Sequence, residues 1–193
     1  MAGCLLYRSD SKVAALEVSP ATLTDFADTY WDVAHYKSSD GGTGFGGGAS
    51  TLSASLGFLS RNSGPSIRVE ISENEISVFQ ENAAAANRRY RRGADYEFRD
   101  NQIYFSDRTS KGAEAGGIGY SKETMRWALD RERRLVVIHG GSGAGLLLGV
   151  PVVAGGNSMS IFQRVSDGPL RIAEQAPLPS EIKPQRMGPA ATR

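Results

Sequence analysis

The sequence predicts a mainly β domain, an antiparallel sandwich or barrel with one N-terminal helix, and three observations support this. From Ile67 to Glu81 the chain reads IRVEISENEISVFQE, where β-branched and aromatic residues alternate with polar ones around a short acidic break. Such alternation is typical of a half-buried β-hairpin. A second alternating pair follows at 95–106, and a compact apolar run, Leu135–Ile138, comes later. Because a lone hairpin is barely stable in water, we expect these segments to share one core.

Composition restricts the classes of function. The chain has 193 residues, a net charge of +1 and 40% hydrophobic residues, which fits one domain with tails. A net charge near zero gives no overall field that would steer the chain toward nucleic acid. Only His35 and His139 could supply imidazole, and there is one cysteine, so a zinc site would depend on carboxylates. We therefore expect no metal and no cofactor, and a binding or structural module rather than an enzyme.

The chain divides into three predicted regions. Residues 1–18 carry no clear period and are predicted to form a tether, and residues 19–165 form the single β-rich domain. Within that domain, residues 38–65 are rich in glycine and serine, which indicates a loop with a weak edge strand near its end. Residues 166–193 are polar and interrupted by prolines, and we predict a tail without fixed structure.

The predicted N-terminal helix begins near Ser19. Ser19 can act as the cap, and Pro20 suits the first helical position. Apolar residues then recur at helical spacing, namely Leu23, Phe26, Tyr30 and Val33. On this interpretation Asp25, Asp28 and Asp32 share a solvated face near the positive end of the helix.

Glycines shape the predictions for the second half of the domain. Residues 112–119 are predicted to be a loop, and residues 140–145 a glycine-rich turn. Between them, Met125, Trp127 and Leu129 alternate with polar residues and indicate a strand. The alternative is an α+β fold, in which Ser121 caps a helix that runs through Arg133.

The N-terminus resembles a bacterial lipoprotein. Ala2-Gly3-Cys4 resembles the lipobox, whose cysteine becomes the lipidated first residue of the mature protein, although Met1 stands where leucine is usual. The resemblance implies lipid attachment at Cys4 and a membrane as partner, together with an envelope protein. Leu5 and Leu6 lack the aspartate that often retains such proteins at the inner membrane, which implies outer-membrane placement facing the periplasm.

A second, shorter resemblance concerns 26–36. The segment FADTYWDVAHY is similar to the first lipocalin signature, although Asp28 and Tyr30 replace its glycine and tryptophan. This resemblance implies the alternative function, a carrier of a small hydrophobic ligand. Its cavity would be lined by Tyr30, Trp31 and Trp127, with Phe79 and Phe98 as further candidates.

The most basic part of the chain is RRYRR, Arg88–Arg92. Guanidinium groups at Arg88, Arg89, Arg91 and Arg92 could contact an anion or a lipid headgroup. Asp95, Glu97 and Asp100 follow closely, so the alternative is an exposed loop whose charges are neutralised locally. Both interpretations stay open from the sequence.

Overall fold

Two β-sheets packed against each other form the described part of the protein. The computed structural model describes residues 5–6, 19–39, 51–57, 64–81, 86–114, 117–147 and 150–170. Within these residues the predicted mainly β fold is confirmed, and the strands form two separate sheets, as in a sandwich, rather than one closed barrel.

The smaller sheet has four antiparallel strands in the order β2-β4-β5-β6. Their bounds are β2 Asp28–Trp31, β4 Ser66–Ile71, β5 Glu75–Gln80 and β6 Arg88–Arg91. The hairpin predicted at 67–81 is therefore confirmed as β4 and β5. Val69 pairs with Val78 and Ile71 with Ile76, and Val69, Ile76 and Val78 are all buried because alternation sends them to one face.

The larger sheet has seven strands, in the order β1-β11-β10-β9-β8-β7 with β3 also paired to β11. The short strands are β1 Leu5–Leu6, β3 Tyr36–Ser39 and β7 Tyr96–Arg99, and the long ones are β8 Gln102–Glu114, β9 Gly117–Leu129, β10 Leu135–Leu147 and β11 Val150–Phe162. The hairpin predicted at 95–106 is confirmed as β7 and the start of β8. Asp100 and Asn101 turn the chain with φ of 51° and 60°, the conformation that a two-residue hairpin loop requires.

The core lies between the two sheets. From the smaller sheet it takes Tyr30, Ile67 and Val78, and from the larger sheet it takes Trp127 and Phe162. A smaller cluster of buried residues, including Val136 and Met159, lies on the other face of the larger sheet. The inner ends of the long strands therefore belong to the sandwich.

The long strands run well past the sandwich, which corrects two predictions. The predicted turn at 140–145 is wrong, because β10 continues through it. The loop predicted at 112–119 is wrong at its described residues, because β8 extends to Glu114 and β9 begins at Gly117; residues 115–116 lie outside the described ranges. Cross-strand pairing on both sides compensates for the low strand propensity of glycine. At Gly140 a Cβ would lie 2.5 Å from Thr124 Oγ1, so this glycine reflects a close cross-strand approach rather than a turn.

Helical structure is shorter than predicted and lies elsewhere. The predicted N-terminal helix is a single 3₁₀ turn, Leu23–Phe26, because Tyr30 enters β2, where its ring lies in the core. The α-helical turn, α1, spans Leu52–Ser55 in the region predicted as loop and edge strand. Thr51 caps it by accepting a hydrogen bond from the Ala54 amide at 3.2 Å.

Asp32 differs from its predicted solvated position. The side chain is 4% exposed. Its carboxylate accepts hydrogen bonds from the Ser53 amide at 2.7 Å and from Ser53 Oγ at 2.8 Å. Asp32 therefore joins the end of β2 to α1.

Candidate functional site

A bulge in β8 opens a cleft at the edge of the sandwich. The register of β8 against β9 shifts between the pairs Phe105↔Met125 and Arg108↔Glu123. Such a bulge bends a strand and changes the direction of its side chains. The connection before β7 holds the bulge, because Ser106 donates from its amide to Asp95 O at 2.8 Å and from Oγ to Ala94 O at 2.8 Å.

The cleft lies between the bulge in β8 and strand β6 of the smaller sheet, and we call it the β6–β8 cleft. Its volume is about 290 Å³. Six lining residues matter for its chemistry: Arg88, Tyr90, Phe105, Arg108, Met125 and His139. The cleft combines an apolar floor with charged groups, because the guanidinium group of Arg89 and the carboxylates of Asp95, Asp107 and Glu123 also line it.

Tyr90 is the most enclosed polar residue of the β6–β8 cleft. It is 5% exposed, and its hydroxyl has no hydrogen-bond partner among the described residues. Its ring meets Phe105 edge to face, with centroids 4.9 Å apart. Burial raises the pKa of Tyr90, and the charge of Asp95 adds to that rise; the charges of Arg88 and Arg108 and the closeness of the Arg88 guanidinium to the hydroxyl oppose it, although no hydrogen bond of standard geometry joins the two. The hydroxyl is therefore neutral and available as a hydrogen-bond donor.

His139 contributes a second unpartnered polar atom to the same cleft. Its Nε2 is buried and has no hydrogen-bond partner in the described part of the chain. Burial lowers the pKa of His139; Glu123 opposes that shift and Arg108 adds to it. The imidazole is therefore neutral near pH 7.

Acidification should destabilise the protein through His139. Because the folded-state pKa lies below the ordinary value of about 6.5, the unfolded chain binds the proton more readily. The contribution of the buried neutral His139 to the free energy of unfolding is complete above about pH 6.5. It should decrease as the pH falls through that value toward the pKa of His139 in the folded protein. We expect His139→Gln to flatten the dependence of the urea-unfolding free energy on pH between about 7 and 5. An unchanged slope in this variant would contradict the assignment.

Among the described residues, the guanidinium groups of Arg88 and Arg108 in the β6–β8 cleft have no carboxylate partner within 4 Å, whereas that of Arg89 lies 3.8 Å from Glu75. Arg88 lies 6.0 Å from the centroid of the Tyr90 ring, and Arg108 Nη1 lies 3.0 Å from the position of a Cβ on Gly57. Two nearby carboxylates have other partners: Asp107 pairs with Lys122 at 2.6 Å, and Asp95 accepts from the Arg91 amide at 2.8 Å. Both guanidinium groups therefore keep donors for a ligand.

The four arginines predicted as one cluster are divided by the geometry of β6. Alternation along the strand puts Arg88 on the face of the buried Tyr90, while Arg89 and Arg91 are exposed on the opposite face. Of these two, Arg89 still borders the cleft and Arg91 does not line it. Arg89 lies 3.8 Å from Glu75, and Arg92 is exposed just beyond the strand. The predicted exposed loop is thus a strand, and Arg108, which the sequence reasoning missed, joins Arg88.

The predicted ligand-cavity residues occupy three different environments. Tyr30 is fully buried and donates its hydroxyl to Phe26 O at 3.0 Å. Trp31 is half-buried and donates Nε1 to Gly168 O at 3.2 Å. Trp127 is fully buried behind Phe105, with centroids 5.0 Å apart. Tyr30 and Trp127 are therefore parts of the packed core, and the lipocalin-like carrier stays a prediction.

A larger depression of about 480 Å³ borders the same strands and includes Arg99, Tyr104 and Arg126. Arg99 lies 3.7 Å from Glu97 and stacks 4.5 Å from the centroid of Tyr104. The Arg99 cation therefore already has an acidic and an aromatic partner.

Cys4 lies outside the described residues, but the chain directly after it does not. Leu5 and Leu6 form β1 and pair in parallel with Val152 and Val153 of β11. In the described ranges, no helix combines the length and apolar character needed to cross a membrane. The same ranges contain no group of three histidine, cysteine or acidic side chains that could hold a metal ion. Comparison with known proteins found no matching family model, no matching curated protein and no matching solved structure.

Proposed function

We propose that this protein is a bacterial cell-envelope lipoprotein, attached to a membrane through Cys4, that acts as a binding module. One observation carries the proposal. The strand that follows Cys4, Leu5–Leu6, pairs with Val152 and Val153 near the outer end of the long strands. Because consecutive Cα atoms are about 3.8 Å apart, a lipid on Cys4 would lie next to this end.

The sequence of that end suits a membrane surface. Residues 146–154 read LLLGVPVVA, and none of them is charged. Leu146 pairs with Pro151 and Leu147 with Val150, so the two apolar halves are adjacent in the hairpin. An acyl chain contributes roughly 0.8 kcal/mol per buried methylene, and stable anchoring usually combines a chain with a second signal. The apolar hairpin end would be that second signal.

The long strands would hold the binding domain away from the lipid. From Trp127 to Gly117 there are ten residue steps along β9, and strands rise about 3.3 Å per residue, so the core would lie roughly 33 Å from the hairpin end. A domain at that distance can meet a soluble ligand or another envelope protein. The absence of aspartate after Cys4 supports outer-membrane placement with the domain in the periplasm.

The proposal is tested by fractionating bacteria that express the gene with its own upstream codons. We expect the wild-type protein in the membrane fraction, and expect Cys4→Ala, which has no thiol to acylate, in the soluble fraction. Cys4 is followed by the β1 pairing, so Leu5→Ala serves as a control that changes the neighbourhood but keeps the thiol. Equal membrane content for wild type and Cys4→Ala would contradict lipid anchoring.

A further inference from the structure

We propose that the β6–β8 cleft binds the oxyanion group of a small soluble molecule, a phosphate or carboxylate attached to an apolar or aromatic body. The inference combines the two guanidinium groups of Arg88 and Arg108 with the unpartnered Tyr90 hydroxyl. It goes beyond the membrane anchoring proposed above, and the choice of a soluble molecule over a lipid headgroup rests on that proposed function.

The donors of the cleft match an oxyanion. Arginine presents a planar set of N–H donors that fits carboxylate and phosphate oxygens, often two at a time. A buried polar group without a partner is costly, on the order of 1–3 kcal/mol. The Tyr90 hydroxyl, on a residue that is 5% exposed, is such a group. A ligand oxygen beside it would satisfy the hydroxyl and both cations together.

The floor of the cleft gives the ligand an apolar part. Phe105 is buried and Met125 half-buried, and both line the cleft beside the Tyr90 ring. An aromatic body could pack against this floor, because aromatic pairs gain from edge-to-face contact. The volume of about 290 Å³ is at the lower end of ligand pockets, so the ligand is small.

The acids near the cleft limit which anions fit. Glu123 pairs with Arg108 in register across the strands, and its side chain is exposed at the rim. Asp107 is neutralised by Lys122, with Nζ and Oδ2 2.6 Å apart. Asp95 accepts from the Arg91 amide, which carries no charge, so Asp95 and Glu123 remain as two carboxylates opposite the guanidinium groups of Arg88, Arg89 and Arg108. This balance favours one compact anionic group over a long polyanion such as nucleic acid.

Distance distinguishes a soluble ligand from a lipid headgroup. His139 lies in the cleft, and Leu147 ends β10 eight residues later. At about 3.3 Å per residue, the cleft lies roughly 27 Å from the hairpin end. If that end meets the membrane, headgroups in the same leaflet do not reach Arg88 and Arg108.

The test is isothermal titration of the 193-residue chain with phenyl phosphate, and with inorganic phosphate and phenol as its two halves. We expect phenyl phosphate to bind at least about tenfold more tightly than either half. Arg88→Gln and Arg108→Gln should each weaken binding about tenfold, and Tyr90→Phe about threefold. Arg91→Gln is the matched control, because Arg91 is on the same strand but faces away from the cleft. Its affinity should change less than twofold.

Amide chemical shifts provide a second measurement where a variant folds poorly. In the wild-type protein, phenyl phosphate should shift resonances of Tyr90, Arg108 and His139 and leave those of β2 unchanged. Equal loss of affinity in Arg91→Gln and Arg88→Gln, shifts outside the cleft, or no binding at 10 mM phenyl phosphate would overturn the proposal. Binding to phosphatidylglycerol vesicles that requires Arg88 and Arg108, without binding of phenyl phosphate, would also overturn it in favour of a headgroup.

Discussion

Trp127→Ala should destabilise the protein by about 3–5 kcal/mol, the range found when a buried tryptophan or phenylalanine is removed. Trp127 is 0% exposed, and its ring packs 5.0 Å from that of Phe105 at the centre of the larger sheet. Its partners across the strands are Ile103 and Val137, which are also buried. The loss would leave a cavity between the two sheets, because the neighbouring strands are fixed by their own pairing.

The control for this substitution is on the same strand. Tyr120 of β9 is 44% exposed, and Tyr120→Ala removes an aromatic ring of similar size without opening the core. We expect Tyr120→Ala to change the free energy of unfolding by less than about 1 kcal/mol. Urea unfolding followed by circular dichroism measures both variants. Similar effects of the two substitutions would contradict the sandwich packing.

Asp32→Ala should lower the free energy of unfolding by about 2–4 kcal/mol. Hydrogen bonds to a charged group contribute roughly 1.5–3 kcal/mol each and are not fully additive. The carboxylate is buried and holds both the amide and the hydroxyl of Ser53. Alanine would leave the Ser53 amide without its acceptor in an enclosed place, while the Ser53 hydroxyl would keep Thr51 Oγ1 at 3.2 Å. The first turn of α1 should then lose its attachment to β2.

Asparagine at the same position separates the hydrogen bonds from simple packing. Asp32→Asn keeps one side-chain acceptor and nearly the same volume, so we expect it to lose less stability than Asp32→Ala. The same unfolding experiment gives both values. If asparagine proves as harmful as alanine, the charge of Asp32 rather than its acceptor count stabilises this contact.

The short-range features of the fold were predictable from the sequence. Strict alternation at 67–79 marked β4 and β5, because one face of each strand is buried and the other is exposed. Asp100-Asn101 marked its hairpin because these residues tolerate positive φ. The chain turns between β9 and β10, where the buried Asp130 carboxylate accepts from the Arg134 amide at 2.9 Å.

Features that depend on distant pairing were not predictable. Glycine, serine and alanine in β8–β10 indicate loops locally, and only the neighbouring strands make them a sheet. Phe26 and Tyr30 have helical spacing, but Tyr30 lies in strand β2, from which its side chain packs into the core between the sheets. Tertiary contacts decided both cases against local propensity.

The cleft combines two of the predicted arginines, Arg88 and Arg89, with several residues that were missed. Tyr90 lies on the same strand as these arginines, but Arg108 and His139 lie on strands of the larger sheet, which meet β6 only after the two sheets pack. The sequence RRYR did contain a signal for the inward position of Tyr90. Arginines on both sides of one aromatic residue are typical of a strand that buries one face and exposes the other. The bulge at Ser106-Asp107 had no comparable signal.

The mass of the N-terminal peptide tests the central claim most directly. The protein would be purified from a bacterial membrane fraction after expression with its own upstream codons, digested with protease and analysed by mass spectrometry. Lipid anchoring predicts a peptide that begins at Cys4 and carries the added mass of a diacylglyceryl group, with the cysteine thiol blocked. A peptide that contains Ala2-Gly3-Cys4 with a free thiol would contradict the account.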